Sequence, residues 1–362
     1  MKKTKNIMFI AILLLLFISA CKNGTDKNSD TFVRGSDGLV MSFLQNAPQE
    51  RYVIGSAPEG IAIAIDVWNK GAHPDENAKP LGGITSEKEL FTTRGRISIS
   101  GFDKNIITMQ KGYKDYKDFL DNDVYLPAAS PLNPRGGLST VEFKGTINAN
   151  NIIVNKYEPT ILVTACYPYF TTATPTVCID PFPFDTRQEK VCNIGSQNVE
   201  LQGAPIAVTK IDEEASSGKI RFKITIENVG KGDVIWSNQE SNLRALIYRC
   251  SPAGDQPKPA VDDSKKILSR ILDREDFDKV QLDEVSIAGI DLLKDKKTCT
   301  PFADDKSNIV RLFDGKGFVI CTLDTSSIKD FQSAFTTPIS IKLRYVYRST
   351  ISKKISIQKI DN

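Results

Sequence analysis

The sequence predicts a mainly all-β chain, built as two tandem antiparallel β-sandwiches with short helical insertions. Three observations predict it. Apolar and polar residues alternate in short runs bounded by Gly, Pro, Asn and Asp, which is how half-buried strands joined by turns read in one dimension. One such run is written twice, as EGIAIAIDVWNKG at 59–71 and GKIRFKITIENVG at 218–230. Two further pairs recur in the same order: RISISGFD at 96–103 with EVSIAGID at 284–291, and TILVTACYPY at 160–169 with PISIKLRYVY at 338–347.

The first element along the chain is an export signal. Lys2, Lys3 and Lys5 precede an apolar run from Ile7 to Ala20, 14 residues long, against the roughly 20 that a helix needs to span a bilayer. Ile18, Ser19 and Ala20 ahead of Cys21 resemble the lipobox of prokaryotic lipoproteins. On that reading residues 1–20 are removed and Cys21 carries lipid, which makes membrane lipid the first partner. An ordinary secretory signal and an uncleaved signal anchor are the alternatives, and all three place the remainder outside the cytoplasm. Residues 21–31 are polar and without period, too poor in apolar surface to fold, and read as a flexible tether.

Charge and cysteine content bear on partners and compartment. The full chain has 47 Lys and Arg against 44 Asp and Glu, but three of those lysines sit in the signal, leaving 44 against 44. With no net charge and no long basic block, nucleic acid is not an expected partner. Cys21 apart, six cysteines remain: Cys166, Cys178, Cys192, Cys250, Cys299 and Cys321. An even number in an exported chain fits up to three disulfides, and none shows the C-x-x-C spacing of a zinc or redox site.

Each copy then follows from its repeats. Ile63, Ile65 and Val67 share one face before Asn69 and Gly71, as Phe222, Ile224 and Ile226 do before Asn228 and Gly230; Asn and Gly both tolerate the positive φ of a turn. Gly101 aligns with Gly289 and Asp103 with Asp291, and the third pair ends in Tyr-x-Tyr both times. The offsets between copies are 159, 188 and 178 residues, so shared strands are separated by loops of unequal length. The predicted domains are 32–190 and 198–362. GLVMSFL, TVEFKGTI, PIAVTKI, NIVRLF, GFVICTL and KISIQKI supply further strands. Helical spacing is confined to 113–120, 264–272 and 326–335, and 251–264 is a Pro-rich loop.

The strands that run into Asn-x-Gly, in duplicated exported β-domains, resemble the immunoglobulin-like CARDB-type modules of archaeal and bacterial surface proteins. GLVMSFLQNAP, IDVWNKGA, VCIDPFPF and GAPIAVTKI are similar to stretches of archaeal cell-surface proteins. The resemblance implies two immunoglobulin-like sandwiches used for adhesion, spacing or envelope assembly, and it brings no catalytic residues. Each copy here exceeds the compact module through long insertions.

Enzyme chemistry finds little footing. The one histidine, His73, rules out a catalytic triad or a multi-His zinc site and reads as a solvated turn residue. G-x-S-x-G, H-E-x-x-H, Walker A and dinucleotide motifs are all missing. Asp103, Asp180 and Asp291 could serve a carboxylate mechanism, but they fit strand ends and turns better. HPDEN at 73–77 and ADDKSN at 303–308 match no calcium loop and read as solvated. The stretch CYPYFTTATPTVCIDPFPFD at 166–185 supports two readings. In one, Tyr167, Tyr169, Phe170, Phe182 and Phe184 form an exposed patch for a protein or glycan partner. In the other it is an inter-domain seam with a hairpin stapled by Cys166 and Cys178, leaving Cys192, Cys250, Cys299 and Cys321 to pair among themselves.

The function expected from the sequence is therefore a lipid-anchored, extracytoplasmic structural or interaction protein of the cell envelope, not an enzyme, with no cofactor and no metal. Its partners would be membrane lipid through Cys21 and an envelope protein or glycan. A solute-binding lipoprotein and a carboxylate-based surface hydrolase are the alternatives.

Overall fold

A computed structural model describes residues 35–73, 95–118, 126–130, 133–185, 189–216, 218–237, 243–251, 272–295, 297–303, 307–327 and 333–360. The described chain is all-β, with several antiparallel sheets packed in the manner of a sandwich. Its centre is a nine-stranded sheet in which Thr160–Ala173 and Phe335–Lys354 lie side by side, antiparallel, over fourteen residue pairs from Ile341↔Ala173 to Lys354↔Thr160. Arg96–Ser100 and Tyr116–Asp118 extend it on one flank; Lys279–Ile287 and Ile290–Asp291 extend it on the other.

The duplication read from sequence is present in the wiring. Leu39–Phe43, Glu59–Asn69, Leu138–Ile147 and Ile107–Met109 form a four-stranded sheet in that spatial order. Ile206–Ser216, Lys219–Asn228, Lys316–Asp324 and Cys299–Thr300 repeat that order, and Ser196–Asn198 adds a fifth strand. Alternation puts Ile63, Ile65, Val67 and Phe143 from the first sheet, and Phe222, Ile224, Ile226 and Val319 from the second, into one continuous core with Ile97, Ile99, Val163, Leu282, Leu343 and Tyr345 of the central sheet. Gly101 and Gly289 both take positive φ, at 86° and 79°, and the carboxyls of Asp103 and Asp291 each accept from the backbone N–H two residues on. These aspartates cap strand ends, as their sequence context predicts.

The predicted boundary near 190–198 does not divide the fold into two separate bodies. The described residues of both copies belong to one compact unit, because the copies are fused strand to strand through the Tyr-x-Tyr segments. A small sheet of Arg51–Ile54, Ser356–Lys359 and Lys156–Tyr157 adds a second tie, its first two strands running parallel.

Helix Leu243–Cys250 lies on the other face of the central sheet, where Leu246, Ile247 and Cys250 pack with Cys166, Ile235 and Val346. Its sequence was not among the helical candidates. Of the helix expected over 113–120 only residues 113–118 are described, and they run as irregular chain into the strand Tyr116–Asp118, whose pairing with Arg96–Ser98 overrides the local spacing. Of 264–272 only Leu272 lies within the described residues; of 326–335, Ser326 and Ser327 belong to the 3-10 turn Thr325–Ser327, residues 328–332 lie outside the described residues, and Phe335 opens a strand. The acidic runs after His73 and around 304–306, and the Pro-rich loop beyond Ser251, lie outside the described residues.

All six cysteines form bridges: Cys166–Cys250, Cys178–Cys192 and Cys299–Cys321. The Cys166–Cys178 hairpin is corrected. After Ala173 the chain does not turn back; Thr176–Ile179 continues along the same neighbour, Phe335–Lys354. At about 3.3 Å per residue, twelve residues of extended chain separate the two cysteines by roughly 40 Å, far beyond disulfide reach. The three bridges fit an extracytoplasmic location.

Candidate interaction surface

Of the five aromatic residues that one of the two readings groups as an exposed patch, the structure buries three. Tyr167 and Tyr169 are each 3 % exposed and Phe170 is 7 %. Period two sends both tyrosines to the inner side of the central sheet, where they meet Tyr345 and Tyr347 with ring centroids 5.8 to 6.4 Å apart. Each hydroxyl has a counterpart in the other copy. Tyr167 Oη accepts from Leu39 N at 3.2 Å, as Tyr345 Oη accepts from Ile206 N at 3.4 Å. Tyr169 Oη donates to Asn69 Oδ1 at 3.4 Å, as Tyr347 Oη donates to Asn228 Oδ1 at 3.2 Å. The Asn-x-Gly turn and the Tyr-x-Tyr strand are thus two ends of one hydrogen-bonded lock, made twice. Burial raises all four phenols, Tyr347 to about 12, so none titrates at neutral pH and the cluster is structural.

His73 belongs to the first lock and is not the solvated turn residue expected. It is 7 % exposed, its ring lies 4.7 Å from that of Phe170, its backbone N–H donates to Tyr169 Oη, and its backbone carbonyl accepts from Asn69 Nδ2. Burial pulls its imidazole down to about 3, because the charged form would lose its hydration there.

The remaining two aromatics are displayed. Phe182 is 57 % and Phe184 75 % exposed, with Val191 at 77 %. All three lie within or beside the loop closed by Cys178–Cys192, a separation of 14 residues. Asp180 and Lys190 pin its neck: Lys190 Nζ donates to Asp180 Oδ2 at 2.6 Å and to the carbonyls of Phe182 and Pro183 at 2.9 Å each. Asp180 Oδ1 takes the Phe182 N–H at 2.9 Å. Asp180 is therefore a structural carboxylate. Pro181 and Pro183 restrict φ on either side of Phe182, so the phenyl groups are held out by a stiff segment. Both rings leave most of their apolar surface in water, where complete burial of a phenyl side chain is worth roughly 1.5–3 kcal/mol.

Beneath this loop sits a residue that the sequence reading missed. Glu213 is 9 % exposed; it accepts from Cys178 N and from Gln197 Nε2, and burial raises its carboxyl to about 7. The available signal was parity: Glu213 stands two residues after Ile211, on the inward side of its strand. The sign of its contribution follows from linkage. The folded value lies above the ordinary 4.5, so the folded state holds the extra proton between about 4.5 and 7, and stability rises as pH falls through that window. His73 acts oppositely, since its folded value lies below 6.5, and it removes stability as pH falls from 6.5 toward 3. Glu213→Gln is expected to abolish a gain on the order of 2 kcal/mol between pH 7 and 5, exposing the unopposed His73 decline in melting-temperature profiles. A variant profile parallel to wild type would refute this.

No protein-family model matches the chain, and no functionally characterised protein matches it in sequence.

Proposed function

We propose that this protein is a lipid-anchored, extracytoplasmic interaction component of the cell envelope, acting by presentation and without catalysis. The observation that carries the reading is the segment tied by the Cys178–Cys192 bridge, in which Lys190 and Asp180 pin the neck and Phe182 and Phe184 are exposed. Preorganised aromatic anchors of this kind suit an apolar pocket on a partner, because little ordering entropy remains to be lost on docking. Lipid on Cys21 and the tether behind it would set the distance from the membrane. The resemblance of the Asn-x-Gly strands to CARDB-type surface modules agrees with such a role.

The test is chemical cross-linking on intact cells, followed by non-reducing purification and mass spectrometry. Wild-type protein should fractionate with membranes and recover one envelope protein cross-linked at 180–192. Phe182→Ala/Phe184→Ala should lose that neighbour at least tenfold with an unchanged melting temperature, since both rings are exposed. Equal recovery by the variant would sink the reading. Recovery of transporter membrane subunits would favour a solute-binding lipoprotein.

A further inference from the structure

The segment from Phe102 to Tyr116 crosses from the central sheet to the four-stranded sheet and back. It leaves Ser100 after Gly101, forms Ile107–Met109 at the edge of the four-stranded sheet, turns at Gly112, and returns as Tyr116–Asp118 at the edge of the central one. Between these two edges it encloses a cleft of about 370 Å³, within the range of roughly 300–1,000 Å³ typical of small-molecule sites. Ile107 is buried against the core, while Phe102, Tyr113, Tyr116 and Met109 are half-buried. The exposed side chains of Lys104 and Lys114 join Thr108 and Asp115 in the lining.

We propose that this cleft binds an acidic saccharide. Phe102 and Tyr113 bring aromatic rings with negative π density to a small open cleft, on which the C–H face of a pyranose stacks. The polar lining suits the hydroxyl edge of a sugar and would be wasted on a purely apolar ligand. Lys104 and Lys114 bring two ammonium groups to a lining whose one carboxylate is that of Asp115. Lys104 Nζ contacts Asp115 Oδ2 at 2.6 Å; an ammonium has three donors, so two remain for a ligand carboxylate. Lys114 Nζ donates to Tyr116 Oη at 2.8 Å and lies 4.9 Å from that ring's centre, which holds its ammonium beside the aromatic face.

The Tyr116 ring is itself set by a buried cation. Arg96, 2 % exposed, stacks its guanidinium 3.9 Å from the Tyr116 ring and 4.1 Å from that of Tyr248, and grips Asp118 through Nε at 2.6 Å and Nη2 at 3.0 Å. Arg96 is a positioning residue for the cleft wall. The cleft uses no residue of the 180–192 loop, so it stands or falls separately from the docking role of that loop.

The test is a calorimetric and NMR titration of the purified chain with digalacturonate, with its dimethyl ester, and with a tetraglutamate peptide. Digalacturonate is expected to bind and to shift resonances of 102–116, weakening as ionic strength rises. The uncharged ester and the Lys104→Gln/Lys114→Gln variant should each lose at least about tenfold in affinity, and Tyr113→Ala should lose binding. The lysine variant should keep the wild-type melting temperature, because the Lys104 side chain is 73 % exposed. Absence of digalacturonate binding, equal affinity for the ester, or tighter binding of tetraglutamate would each overturn the assignment, the last in favour of an acidic peptide.

Discussion

Gly71→Ala is expected to destabilise the fold by about 4 kcal/mol, more than the same change at its duplicate, Gly230. A methyl group at Gly71 would fall inside contact distance of Tyr169 Oη, 2.5 Å from the Gly203 carbonyl oxygen and 2.6 Å from that of Asp37. Two of the three obstacles are backbone, so no rotamer change relieves them. Displacing Tyr169 would also break its hydrogen bonds to Asn69 Oδ1 and to the His73 N–H. The duplicated position gives an internal comparison. At Gly230 the nearest atoms are Tyr347 Oη and Pro205 Cβ, the latter at 2.8 Å, both on side chains, so Gly230→Ala should cost less, about 2 kcal/mol. Gly60, with nothing within 4 Å of an added Cβ, should accept alanine neutrally or gain about 0.5 kcal/mol from reduced unfolded-state entropy. Denaturant midpoints of the three variants should fall in that order. If Gly71→Ala behaves like Gly60→Ala, the lock between Asn-x-Gly and Tyr-x-Tyr carries no weight in the fold.

The two motifs that form this lock were legible because both are local: alternation, a turn residue, a paired aromatic. Their partnership was not, because Asn69 and Tyr169 are 100 residues apart in sequence and periodicity has no view of such pairings. The same limit hid the fusion of the copies. Tyr167↔Tyr347 and Tyr169↔Tyr345 face each other across the central pair, yet nothing in either strand alone states that its neighbour is its own duplicate. Cysteine pairing failed for a geometric reason, since a Thr- and Pro-rich stretch reads as a hairpin turn when it is an interruption in one long line of chain along Phe335–Lys354. Phe182 and Phe184 lie outside the strands, Phe182 between Pro181 and Pro183 and Phe184 directly after Pro183, and their exposure was readable; Tyr167 and Tyr169 lie inside a strand, in phase with Ile161, Val163 and Ala165, and their burial was readable too. Grouping all five by proximity in sequence ignored that difference. Glu213 was missed because a charged residue on an inward position is normally discounted, when such a position is where burial shifts a carboxyl.

Removing the Cys166–Cys250 bridge as a Cys166→Ala/Cys250→Ala pair is expected to be the most destabilising of the three disulfide deletions. The bridge closes 84 residues, against 22 for Cys299–Cys321 and 14 for Cys178–Cys192. Chain entropy of the unfolded state then assigns about 4.5, 3.4 and 3 kcal/mol respectively. Burial sharpens the order. Cys166 is fully buried and Cys250 2 % exposed, in the cluster that seats helix Leu243–Cys250 against Val346 and Ile235. Cys166 belongs to the strand of the first copy and Cys250 to the helix of the second, so the bond covers the seam at which the copies are fused. Its loss should show as faster amide exchange in 246–250 as well as a lower denaturant midpoint, whereas loss of Cys178–Cys192 should loosen the 180–192 loop and leave the helix protected. A smaller midpoint change for 166–250 than for 178–192 would mean that strand pairing over fourteen residues already holds the seam closed in the unfolded ensemble. In that case duplication, and not the disulfide, keeps the two halves together.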